Sequence, residues 1–383
     1  MPPKRIVISR KKECTETAAV TSIPREKIVS FLPSSPPPVP RQNNMTVDRW
    51  FASRFAVPRP YLHMGNEFRA MEKKSGNWEM MGPRQENSFV RMATGGGNMR
   101  RITVNANIVG GGDYPTYVAC EGPTQESVYD FWTLVWQEGV NRILSVNFPF
   151  EERLYEQGYA KETAQYWPIV EGETVSFMPF KLTCIETKLL FGPGVETNNE
   201  KDMVYRITRL VLHRENNILT EEPTREIVHM CYYRWPDARI PIPWCENETT
   251  RDAAINLFLA VEKEMGTSDT PLLVHCHAGI GRTGVIISTD MALRQLRANN
   301  TVNIREVVEQ LRSKRPRCVM NQWQYALIHL IVAEVAKEER RMPPTIDNQP
   351  VESFLKRVWA DVEKEVKQFF GNELITYSPE LMK

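Results

Sequence analysis

Long apolar runs are missing from this 383-residue chain. None approaches the roughly 20 residues that cross a bilayer. The opening Met-Pro-Pro-Lys-Arg also lacks the apolar core of a signal peptide. Charge of one sign is missing too. Lys and Arg number 48 against 47 Asp and Glu, a net charge of +1. No global field therefore draws the chain to nucleic acid or to a membrane. Paired cysteine spacing is absent: the seven cysteines, Cys14, Cys120, Cys184, Cys231, Cys245, Cys276 and Cys318, are odd in number and scattered. That argues against a disulfide scaffold and for a reducing compartment, and no Cys-x2-Cys pair prepares a metal site. No internal repeat is visible. What remains reads as a cytoplasmic globular protein without metal or cofactor, long enough for one large domain or two small ones.

The first 44 residues hold little that could form a core. Eight Lys and Arg stand against three Glu there, and Pro33 to Arg41 is a polyproline stretch that excludes helix and sheet. The expectation is a disordered basic tail, 1–44. It reads best as a stiff tether, with Pro36–Arg41 as a weaker candidate for a proline-reading partner domain. Globular patterning starts near Val47, where Trp50, Phe51 and Phe55 fall at helical spacing. Residues 173–235 alternate apolar and polar side chains between Gly-, Pro- and Asn-bearing breaks, which predicts antiparallel hairpins. At the other end, Val351, Phe354, Leu355, Val358, Trp359, Val362, Val366 and Phe370 predict an amphipathic helix within a tail, 341–383, that packs back on the domain.

The stretch Leu272-Leu273-Val274-His275-Cys276-His277-Ala278-Gly279-Ile280-Gly281-Arg282-Thr283-Gly284 carries the chemistry. It reads as a buried strand, a Gly-rich turn, and then the start of a long helix at Val285. Loop amides and a helix N-terminus make an anion site, and an Arg fork grips two oxygens of a phosphate. The positive potential that holds a phosphate also suits a sulfur nucleophile as its thiolate. Cys276 at the base of the loop and Arg282 six residues on therefore suggest a cysteine-dependent phosphatase, with residues 277–282 lining the phosphate.

This Cys-x5-Arg-Thr-Gly text, with His before the Cys, resembles the signature loop of the tyrosine-specific, non-receptor type protein phosphatases, although His277 stands where that family has Ser. Other segments resemble it as well: Val104-Asn105-Ala106-Asn107, Tyr117-Val118-Ala119-Cys120-Glu121-Gly122-Pro123, Asp130-Phe131-Trp132 and Tyr166-Trp167-Pro168. Together they cover about residues 45–340. The resemblance implies an α/β fold: one phosphatase domain, 45–340, on a highly twisted mixed β-sheet flanked by helices on both faces. It gives His275 the part of tuning the thiol through the loop's hydrogen bonds, and Thr283 that of stabilising the departing thiolate. Glu151 is the carboxylate that would hold the catalytic Arg, with Glu152 as its alternative. The recognition loop falls at Pro83 to Ser88. There Arg84 is kept, but Gln85 stands for the ring-stacking Tyr and Asn87 for the Asp.

Breaking an aryl phosphate ester requires a proton for the leaving oxygen, which a carboxylic acid on a movable loop can supply. Trp235-Pro236-Asp237, 39 residues before Cys276, resembles the family's acid loop and makes Asp237 that acid. After it, Ala238-Arg239-Ile240-Pro241 departs from the family's aromatic and Gly. Arg315 to Tyr325 resembles the Gln loop. Gln324 is retained there to help place water, while Met320 stands at the position of the first Gln, which predicts slow breakdown of a phosphocysteine because a thioether hydrogen-bonds water poorly. The expected activity is protein-tyrosine-phosphatase, acting on a phosphotyrosine-containing protein substrate. The cluster Gln85, Asn87, Ala238, His277 and Met320 keeps two alternatives open: a weak or inactive phosphotyrosine-binding module, and an enzyme for another phosphate ester.

Overall fold

The computed structural model describes residues 45–74, 91–93, 99–101, 104–112, 114–146, 163–198, 203–215, 224–243, 248–266 and 268–370. The N-terminal tail with Pro36–Arg41, the recognition-loop residues Arg84, Gln85 and Asn87, and the Glu151/Glu152 pair lie outside them.

In chain order the strands are β1 (Met45–Thr46), β2 (Arg91–Ala93), β3 (Met99–Arg101), β4 (Ala106–Gly111), β5 (Tyr114–Glu121), β6 (Arg142–Ser145), β7 (Thr174–Phe177), β8 (Phe180–Gly192), β9 (Val195–Glu196), β10 (Tyr205–Arg214), β11 (Thr224–Tyr232), β12 (Leu272–Cys276), β13 (Thr301–Val302), β14 (Thr345–Ile346) and β15 (Gln349–Pro350). The helices are α1 (Val47–Phe55), α2 (Pro60–Lys74), α3 (Val128–Gln137), α4 (Thr250–Met265), α5 (Gly281–Asn299), α6 (Ile304–Lys314), α7 (Gln322–Glu338) and α8 (Val351–Phe370). The mixed α/β architecture matches the expectation.

The main sheet runs β4-β5-β12-β6-β11-β10-β8-β7, with β9 added to β8. The predicted hairpins of 173–235 form as antiparallel pairs. One relation was invisible in their alternation: β11 also lies parallel to β6, in the register Val228↔Arg142 through Cys231↔Ser145. Because β12 is parallel to both β5 and β6, four neighbouring strands, β5, β12, β6 and β11, point the same way. Their C-terminal ends share one edge, which is where open parallel sheets place their ligands.

Alternation along these buried strands feeds two cores. Leu144 and Val274 join the larger core, whereas Ile143 and Leu273 face the smaller one. The larger core takes α1, α2 and α4 through α8. The smaller is covered by α3, through Phe131, Trp132, Leu134 and Val135, together with Tyr166 and Trp167. Helices do flank both faces, but unevenly. Local signals set the helix starts. Thr249 and Asp252 form a capping box for α4, the Asn303 side chain accepts the Glu306 amide, and the Asn321 side chain accepts the Gln324 amide. The expected C-terminal amphipathic helix is α8. Its Phe354, Leu355, Val358, Trp359 and Val362 belong to the larger core. Arg251 bonds both Glu334 on α7 and Glu352 on α8, at 2.6 and 2.7 Å, and Lys337 also pairs with both.

His329 on α7 is 1% exposed and stacks on Trp50 at 5.8 Å, and neither of its ring nitrogens has a hydrogen-bond partner among the described residues. Burial, with Arg54 and His63 nearby, holds it neutral well below the usual histidine range. In the unfolded chain a histidine titrates near 6.5. Below that pH the unfolded state binds the extra proton, so stability falls as pH drops through about 6.5. His329→Leu removes one such group. Between pH 7 and pH 5 the wild type should lose about 2 kcal/mol more than the variant, read from urea midpoints at each pH.

Candidate active site

Strand β12 ends at Cys276 and α5 begins at Gly281, so the turn between them is only four residues long. Ile280, the N-cap of α5, provides no side-chain cap, and the helix's first amides stay available to an anion. Gly279 has φ +66, and a Cβ there would lie 2.0 Å from the Cys120 carbonyl oxygen, so no other residue fits.

The carbonyls of this turn are all engaged by the surrounding structure. The Gly122 amide donates to Cys276 O at 2.8 Å and to His277 O at 2.9 Å. Arg315, 2% exposed, donates through Nη2 to Ala278 O at 3.0 Å and through Nε to Gly279 O, while its Nη1 is fixed by Asn107 Oδ1 at 2.7 Å. Ile280 O takes the amides of Gly284 and Val319 at 2.9 and 3.3 Å. Within each trans peptide the N–H points opposite to the C=O. Tying the oxygens to the surroundings turns the amide hydrogens toward the loop's centre, which is the geometry of an anion nest. Sequence reasoning missed Arg315 because it reads as one more basic residue after a helix, and only its burial sets it apart.

The acid loop follows β11 on the same sheet edge. Arg282, fully buried, donates through Nη1 to Trp235 O at 2.8 Å and through Nη2 to Asp237 Oδ1 at 3.0 Å. These bonds join the Trp235–Asp237 segment to the first turn of α5, which follows the turn that begins at Cys276. Asp237 is 39% exposed, so it sits at the mouth of the site with Arg282 beneath it. Thr283 Oγ1 is buried and has no hydrogen-bond partner among the described residues. His277 is half-buried beside the nucleophile position.

Beneath the loop, the Tyr166 hydroxyl lies 2.5 Å from His275 Nε2 and 2.7 Å from His229 Nε2. Burial, assisted by the Arg282 charge and opposed by the Cys276 backbone, pushes His275 down to about 3, and burial keeps His229 neutral as well. His275 Nδ1 faces Cys276 O at 3.4 Å, and a carbonyl only accepts. The assignment that satisfies all three groups gives His275 its proton on Nδ1. Tyr166 then donates to His275 Nε2 and receives the Nε2 proton of His229.

A protein-tyrosine phosphatase family model matches residues 82–334. The chain belongs to that family. Human tyrosine-protein phosphatase non-receptor type 12 is 27% identical over 243 residues, which is 62% of this chain and 27% of that protein. Rat non-receptor type 7 is 29% identical over 247 residues, 64% of this chain and 58% of that protein. A Lar-like tyrosine phosphatase of Caenorhabditis elegans is 33% identical over 229 residues, 59% and 9% of the two chains. This chain therefore spans less than two thirds of each of these relatives. Among solved structures, PTPN18 in a study of its fingerprint on HER2 tyrosine phosphorylation sites superposes with a TM-score of 0.57 at 24% identity, covering 76% of this chain and 99% of that one.

The segment read as the Gln loop packs against the start of α5. Gln324 is buried beside Gly281, accepts the Met320 amide on Oε1 at 3.0 Å, and reaches Arg239 O with Nε2 at 3.4 Å. Met320 also lies beside Gly281 and is 41% exposed. Gln322 does not turn toward the loop. Its amide bonds Arg69 at 2.6 Å on one side and Glu365 on the other.

Replacing Arg315 with Met removes the donors to two carbonyls of the turn and should destabilise the protein by about 3 kcal/mol. Thermal or urea unfolding checks this. Arg315→Lys, which cannot span both carbonyls and Asn107, should recover less than half of that loss.

Proposed function

We propose that this chain hydrolyses phosphotyrosine in proteins through a phosphocysteine intermediate. The observation that carries this reading is the bond of one buried guanidinium, Arg282, to both ends of the Trp235–Asp237 segment. It supports reading Arg282 as clamp and Asp237 as acid on the edge of the sheet where Cys276 begins the nest of amides. PTPN18, whose fold this chain resembles, has been solved in complex with HER2 phosphopeptides. In the proposed first step the Cys276 thiolate attacks phosphorus and the aryl oxygen leaves with a proton from Asp237. Amides of residues 277–282 and Arg282 hold the three remaining oxygens. In the second step water attacks the phosphocysteine, Asp237 takes its proton, and the thiolate leaves. Thr283, whose hydroxyl is otherwise unpartnered, suits the part of donor to that thiolate, and Gln324 has a second lone pair on Oε1 for the water. His275, neutral and locked by Tyr166, orients the backbone next to Cys276. Arg84 and Gln85 keep their proposed substrate-side parts, and Glu151 that of holding the catalytic Arg. We read a cytoplasmic setting from the free cysteines and from the lack of any described helix long and apolar enough to cross a membrane.

A second reading, phosphotyrosine binding with little turnover, is favoured by Met320 and by the engagement of the Gln324 amide with backbone groups. Pre-steady-state kinetics on an aryl phosphate separate the two. The enzyme reading expects a burst of phenol of about one per protein followed by a slower steady state, and Cys276→Ser should abolish both phases. Asp237→Asn should slow the burst by a factor of about 10²–10⁴ on an ester with a basic leaving group. No burst, together with retained phosphotyrosine-peptide binding, would sink the enzyme reading. Met320→Gln should raise the steady-state rate several-fold and leave the burst rate unchanged.

A further inference from the structure

We propose that the C-terminal end of α8 is a positioning element for Asp237, with Phe370, Trp323 and Arg239 as its working residues. The inference deepens the proposed function and rests on it, since it assigns the groups that hold the general acid in place.

The acid loop is held from two sides. Its N-terminal side is fixed by the Arg282 bond to Trp235 O. Its C-terminal side meets α7 and α8. Ala238, next to Asp237, has φ +55, a left-handed conformation that a residue with a Cβ adopts at a cost. Its carbonyl oxygen receives two donors, Trp323 Nε1 at 2.7 Å and Asn321 Nδ2 at 3.0 Å, both from the start of α7. These two bonds oppose the backbone strain and fix the Ala238–Arg239 peptide, one residue beyond Asp237. The next residue, Arg239, is 6% exposed, and its guanidinium lies 4.4 Å over the Phe370 ring. Phe370 and Phe369 in turn pack on the Trp323 indole at 5.9 and 5.4 Å. Trp235 Nε1 closes the loop on itself through Arg239 O at 2.8 Å.

The end of α8 cannot drift from this place cheaply. Six buried side chains between Val351 and Val362 root the helix in the larger core, and Glu365 bonds Gln322 at the head of α7. A cation held on an aromatic face and a carbonyl held by an indole N–H are both directional contacts. They transmit the position of α8 to Asp237 without touching substrate.

Two substitutions test this in the full-length protein. Trp323→Phe keeps the ring but loses the donor, and Phe370→Leu keeps apolar bulk but loses the aromatic face under Arg239. The kinetic readout is kcat/KM for two aryl phosphates, phenyl phosphate with a basic leaving group and a difluorinated umbelliferyl phosphate with an acidic one. Only the first needs the general acid strongly. Each variant should lose about tenfold on phenyl phosphate and less than twofold on the fluorinated ester, and Phe370→Tyr should restore wild-type behaviour. A structural readout independent of catalysis is amide hydrogen exchange over residues 235–242. It should speed up in both variants, with exchange over residues 276–282 unchanged. Unchanged exchange in the acid loop, or equal losses on the two esters, overturns the proposal. If the wild type hydrolyses neither ester, the proposed function has failed, and the exchange result alone then sustains or overturns the positioning role.

Discussion

A buried guanidinium is costly unless its charge and its donors are met, and the Trp235–Asp237 segment meets two of the Arg282 nitrogens. One nitrogen takes the carbonyl of Trp235 and another takes the carboxylate of Asp237. The rest of the site is arranged so that this is possible. Arg282 sits in the first turn of α5, directly after the signature turn, and the acid loop must arrive at the same point from a different strand. Four parallel strands ending on a common edge achieve that, because β11 and β12 flank β6.

The signature turn depends on its surroundings in the same way. Five consecutive carbonyls, from Cys276 to Ile280, face outward and are bonded by Gly122, Arg315, Gly284 and Val319. An anion nest with its oxygens left free would relax toward other turn conformations. Two of these carbonyls are secured by a single residue, Arg315, which is itself fixed by Asn107 on β4. Strands β4 and β5, the end of α6 and the loop before α7 therefore act as the mould for a turn they do not contain. The histidine pair below adds a second support, in which desolvation keeps both rings neutral and a single tyrosine proton decides the tautomers.

Much of the site was legible in the amino-acid order. Cys276 and Arg282 stand out because a Gly-rich turn between an apolar strand and a helix suits an anion, and Asp237 because Trp-Pro-Asp, 39 residues before Cys276, resembles the family's acid loop. The amphipathic stripe of α8 was readable because it is a local rule involving residues three or four apart. Arg315, Asn107, His229 and Trp323 were not readable in their parts. Their partners lie tens to hundreds of positions away, and nothing in a run of neighbours distinguishes a buried arginine from a surface one. Gln322 is bonded to Arg69 and Glu365 on flanking helices.

By itself the sequence determined the functional groups available, a thiol, a guanidinium, a carboxylic acid and a glycine-rich turn, because those depend on residue type. It also determined most helices and hairpins, since hydrophobic period and capping act locally. The tertiary structure alone decided which way the amides of the turn point, which bonds hold the acid loop, and that the last turn of α8 lies against that loop. Those outcomes depend on burial and on the parallel register of β11 with β6. Both arise only when distant segments compete for the same buried space, and no local pattern records that competition.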